Sequence, residues 1–108
     1  MTSATLNEMN SGMFFECSGH ACGGEKGKDI VCAGVSALVI ALLERLSVLS
    51  DEGIIKIESF HTGDGEVSVE ISWRDAYGRQ TALGVFETVA AGLSRISEMY
   101  PENVSCNF

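Results

Sequence analysis

Cations are scarce in this sequence: 7 lysines and arginines stand against 15 aspartates and glutamates, for a net charge of -8 over 108 residues. Bare nucleic acid rewards clustered cations, so direct nucleic-acid binding is a poor match. A basic partner suits the chain better, although surface acidity by itself most often serves solubility. Proline occurs once, at Pro101, and there is no proline-rich linker, internal repeat or low-complexity tract. The N-terminal MTSATLNEMNSG carries no basic residue and no apolar core, unlike a secretory signal. The greasiest run, Ala33 to Leu43, is too short to span a bilayer and stops at Glu44-Arg45. These absences lead us to expect a soluble cytoplasmic protein without membrane contact, whose 4 cysteines are reduced thiols rather than a disulfide framework.

What is present is an ordinary globular composition, 45% apolar and 20% charged, enough for one modest core. Asn10-Ser11-Gly12 is a turn signal between Ser3–Met9 and Met13–Ser18, and reads as an N-terminal hairpin. Gly19 to Lys28 is a loop with glycines at 19, 23, 24 and 27. From Asp29, a good N-cap, to about Ser50 the pattern is helical and apolar around the whole circumference. Such a helix needs cover beyond one sheet face, from a second helix or a partner subunit. Ile54–Phe60 reads as a strand and Thr62-Gly63-Asp64-Gly65 as a turn. Glu66–Arg74 alternates cleanly, with Val67, Val69, Ile71 and Trp73 on one face. Asp75–Arg79 reads as another turn. A second helix runs from Gln80 or Thr81 to Tyr100, before Pro101. Gly92 within it implies close packing against another backbone, such as the first helix. The expected fold is α+β: a single small domain over 1–108, ordered β-β-α-β-β-α, with a mainly antiparallel sheet and two helices.

The chemistry concentrates in GHACGGEKGKDIVCAGVS, Gly19 to Ser36. With Asp29 as N-cap, Cys32 is the third helical residue. Unpaired N–H groups and the helix dipole favour negative charge there, and the thiolate is the reactive form of cysteine. His20 stands across the loop from it. A Cys–His pair is the minimum apparatus for nucleophilic acyl transfer. Asp29 or Glu16 could orient the imidazole, and Ser36 lies one helical turn beyond Cys32. The bland alternative is that Cys32 is packing and His20 a surface residue. A metal reading would use Cys17, His20, Cys22 and Cys32, but their C-x2-H-x-C-x9-C spacing pairs ligands on one side only. A P-loop is excluded, because Cys22 and Asp29 stand where it needs Gly and Ser or Thr. His61 reads as solvated, Trp73 as core and Cys106 as inert.

Gly19-His20-Ala21, then Gly27-Lys28-Asp29-Ile30-Val31-Cys32-Ala33 with Val35-Ser36, resemble the ribosomal-processing cysteine protease Prp family. Gly92-Leu93, Ile96 and Met99-Tyr100-Pro101 resemble its closing helix and Tyr-Pro stop. The resemblance implies a small cytoplasmic bacterial protease that forms a homodimer and needs no cofactor or metal. It implies cleavage of a short N-terminal extension from large-subunit ribosomal protein twenty-seven. Carried onto this sequence, it makes Cys32 the nucleophile and His20 the catalytic histidine, with Asp29 and Ser36 in support. It makes Ala21, Cys22, Gly23, Gly24, Gly27 and Lys28 part of a loop that orders around substrate. The extension is apolar and aromatic, so an apolar groove is expected near Cys32. Cys22 adds a second thiol to that loop, able to close a disulfide with Cys32 under oxidation. The competing reading is a non-catalytic ribosome-assembly or adaptor protein that binds a basic ribosomal partner. Against it, a binder has no need of a thiol at a helix start.

Overall fold

The computed structural model describes residues 1–19 and 30–108. Its alternating segments become strands: β1 (Thr2–Met9), β2 (Gly12–Ser18), β3 (Lys56–Gly63) and β4 (Glu66–Ser72), with a short β5 (Val104–Asn107). The 3.6-residue patterns become α1 (Ile30–Asp51) and α2 (Ala76–Met99). The sheet has 5 strands in the order β3-β4-β2-β1-β5. All neighbours are antiparallel except β1 and β5, which run parallel.

The alternation sorts the sheet into two unlike faces. On one, Met13, Phe15 and Cys17 of β2 stand opposite Ile71, Val69 and Val67 of β4, all buried. Ala4 of β1 and Val104 of β5 extend this face. Both helices close over it: α1 contributes Val31, Val35, Val39, Leu42, Leu46 and Leu49, and α2 contributes Ala82, Phe86, Val89 and Leu93, to one cluster. The other face carries Thr5, Glu16, Ser68 and Glu70 and is covered by neither helix. The result is a two-layer α+β fold.

By length and composition alone α1 could cross a bilayer. In the fold it lies against the sheet and beside α2. A Cβ on Gly92 would come within 2.8 Å of Leu38 Cδ1, so Gly92 faces α1, but it meets a leucine side chain there rather than the expected backbone. Ile30, Ile40 and Val48 of α1 remain exposed.

Several elements differ from the sequence reading. Asp75–Arg79 is not a turn: Asp75 is the N-cap of α2, its carboxylate accepting from Gly78 N at 2.8 Å. Asp and Gly signal turns and caps alike, and here the cap wins. β3 starts at Lys56 rather than Ile54, because Ile54 N donates to Leu49 O at 2.9 Å and Ile55 is buried behind the helix end. β4 ends at Ser72, and Trp73, half-buried, still packs against the core. β5 was not expected. Its four residues are too few to show a period, and pairing with β1 rather than pattern makes it a strand.

Candidate active site

The first turn of α1, the end of β2 and the β3–β4 turn meet at one end of the sheet. Cys32 is the third residue of α1 and is half-buried. It lines a groove of about 380 Å³, and Ser36 lines the same groove one turn later. Val35, Val39, Leu43 and Val67 make it apolar. The facing wall is Thr62 to Glu66, the end of β3, the Asp64-Gly65 turn and the start of β4, and Thr2 and Gly19 line the groove as well. His61 is exposed, its Nε2 3.1 Å from Glu66 Oε1, so the solvated reading of that residue holds.

A second thiol, Cys17, also reaches the groove. Burial pushes it up to about 11, with a smaller contribution from Cys106. Burial raises Cys106 as well, against a hydrogen bond from Ser97 that lowers it. Both therefore carry their protons at neutral pH, which makes them poor nucleophiles. Cys32 stands instead in the first turn of α1, at the amino end of the helix.

His20, Asp29 and the loop residues Ala21, Cys22, Gly23, Gly24, Gly27 and Lys28 lie outside the described residues, so only Cys32 and Ser36 of the expected site can be located. The Cys22–Cys32 disulfide lies outside them too. Glu16 is corrected: strand alternation turns it to the open face of the sheet, away from the groove that Cys17 reaches. It does not orient a base beside Cys32. Among the described residues, no three His, Cys, Asp or Glu side chains are grouped to hold a metal ion.

Sequence reasoning missed the facing wall. The turn expected at Thr62-Gly63-Asp64-Gly65 narrows to Asp64-Gly65, Thr62 and Gly63 pairing in β3, and nothing local marks this segment as lying across from Cys32. Thr2 carries no signal of a site either, and Cys17 enters only the metal reading.

Comparison with known proteins bears on this arrangement. The sequence profile of the cysteine protease Prp family matches residues 1–105. A ribosomal processing cysteine protease Prp of Staphylococcus aureus is 31% identical over 90 residues, 83% of this chain and 80% of that protein. The crystal structure of an essential S. aureus ribosomal processing protease Prp with a covalently linked product peptide aligns with TM-score 0.76 at 24% identity, covering 99% of this chain and 98% of that one. The same S. aureus protease in complex with a substrate peptide aligns with TM-score 0.68 at 25% identity over 99% and 98% of the two chains. A profile match over residues 1–105, with a relative at this identity, leaves one assignment: the chain belongs to the ribosomal processing cysteine protease Prp family and is a cysteine protease.

Proposed function

We propose that this protein removes a short N-terminal extension from a large-subunit ribosomal protein, protein twenty-seven, with Cys32 as nucleophile and His20 as its base. The observation that carries the reading is the position of Cys32: first turn of α1, at an apolar groove with room for peptide side chains. The naming of the S. aureus relative as a ribosomal processing protease, and its complex with a substrate peptide, support the substrate class.

In this reading the His20 imidazole takes the proton from Cys32 Sγ, and the sulfur attacks the carbonyl carbon of the scissile peptide. The amino end of α1 favours the negative charge that gathers on the carbonyl oxygen. The C–N bond then breaks, and imidazolium returns the proton to the departing amine. Water, deprotonated by the same imidazole, attacks the thioester carbonyl. Its C–S bond breaks, releasing the new carboxylate and restoring the thiol. Asp29 orients the base and Ser36 adds a hydroxyl to the groove. The loop from Ala21 to Lys28 closes on the peptide. The same reading takes the protein to act in the cytoplasm as a homodimer.

The test is cleavage of a peptide spanning the extension junction. Cys32→Ala abolishes cleavage, keeps the fold by circular dichroism and still binds the peptide. A Cys32→Ala protein that cuts at the parent rate overturns the nucleophile. A parent that binds the peptide without cutting it favours the adaptor.

A further inference from the structure

We infer that Thr2 and Gly19 are positioning residues of the cleavage reaction, forming with Gly65 a clamp that fixes where the chain leaves β2 for His20. This rests on the Cys–His reading above. Three observations meet at Gly19. Its N–H donates to the Gly65 carbonyl of the β3–β4 turn at 2.6 Å. Its own carbonyl accepts from Thr2 Oγ1 at 3.3 Å. Its φ is +94, and a Cβ there would collide with the Met1 carbonyl oxygen, so only glycine fits.

Thr2 is the buried polar side chain of the described residues, 2% exposed. Valine would fill the same space at no desolvation cost, so the hydroxyl is accounted for by its bond to Gly19. Thr2 is held in turn, its N–H donating to Asn103 O at 2.8 Å. The restraints run from the start of β5 through β1 and the end of β2 to the β3–β4 turn. Thr2, Gly19 and Gly65 all line the groove with Cys32. The clamp therefore ties the end of β2 to the wall facing Cys32, one peptide unit before the residue proposed as base. A base must hold its geometry to a fraction of an ångström, since an ångström of misplacement can cost roughly 100-fold. Two hydrogen bonds fix Gly19, the residue that precedes it in sequence.

The experiment uses the full chain carrying Thr2→Val, Thr2→Ser, Gly19→Ala or His20→Ala. Two readouts are taken: kcat and KM on the junction peptide, and the rate of Cys32 alkylation by iodoacetamide against pH. Thr2→Val lowers kcat about 10-fold with KM little changed, and moves the alkylation profile toward that of His20→Ala. Thr2→Ser, which keeps the hydroxyl, restores both. Gly19→Ala exceeds Thr2→Val if it folds, and if it does not, the Thr2 pair still decides. A Thr2→Val protein with the parent's kcat and profile overturns the clamp. So does a loss that tracks only the unfolded fraction in urea, or one that Thr2→Ser shares. A profile unchanged by His20→Ala overturns the Cys–His pair itself, and the clamp with it. A His20→Ala shift that Thr2→Val does not reproduce overturns the clamp alone.

Discussion

Cys17 is the residue whose surroundings most clearly change its chemistry. Packed on the core face of β2, it is pushed by burial, and secondarily by Cys106, from 9.0 to about 11. A folded-state value above the unfolded one means that the native protein holds its proton longer. The stability this confers is intact below about 9 and is lost as pH rises from about 9 to about 11, roughly 2–3 kcal/mol in all. Urea unfolding at pH 8 and near pH 11 should show that loss in the parent, and a flatter response in Cys17→Ala. The same contrast governs reactivity: iodoacetamide at pH 8 should label Cys32 before Cys17, read by peptide mass mapping. That Cys17 points inward was legible from strand alternation. That it reaches the groove was not, because α1 comes from elsewhere in the chain.

Within α2, three glycines occupy different surroundings, and each predicts a different outcome on replacement by alanine. Gly84 has nothing within 4 Å of a would-be Cβ, so Gly84→Ala should stabilise by about 0.5–1 kcal/mol through helix propensity alone. At Gly92 the added methyl meets only the flexible end of Leu38. That crowding offsets the same gain, and the net change should lie within about 1 kcal/mol of zero. At Gly78 the methyl would stand 2.6 Å from the Ile54 carbonyl oxygen, with Trp73 Cβ at 3.1 Å. Backbone cannot yield as a leucine can, and Gly78→Ala should destabilise by about 1–3 kcal/mol. Thermal unfolding of the three variants checks the order. The cap at the helix start is a fourth case: Asp75→Ala removes the acceptor for Gly78 N and should cost about 1 kcal/mol in the same assay. Periodicity alone located this helix but put its start some four residues late. The first turn reads AYGR, with no apolar stripe to announce it, and only the geometry of Asp75 shows that it is helical.

Over the whole molecule, charge and edge pairing matter most. A net charge of -8 attracts basic peptides at long range, and salt screens that attraction. For a junction peptide bearing lysines, kcat/KM should fall several-fold between about 50 mM and about 500 mM salt, while a neutral peptide of the same apolar core changes little. If both peptides respond equally, steering by charge is not at work. At the edge of the sheet, Val104 is 2% exposed and pairs β5 with the start of β1. Val104→Ala should cost about 2 kcal/mol of global stability by urea unfolding.

The sequence by itself determined the periods. Two-residue alternation in β2 and β4, and three-to-four-residue spacing in α1 and α2, follow from side chains only a few positions apart, so strand faces, helix faces and the placement of Cys32 in a first helical turn could be read directly. The resemblance around Gly19 to Ser36 rested on residue identity and led to the family. The tertiary structure alone decided which distant segments meet. It made β5 a strand by giving it a partner, turned Glu16 to the open face and set the β3–β4 turn across from Cys32. It also gathered Thr2, Gly19 and Gly65 at one rim. These contacts join residues tens of positions apart. They form because burying one apolar face of the sheet beneath both helices outweighs the chain entropy lost in closing the loops between them, and no local pattern carries that balance.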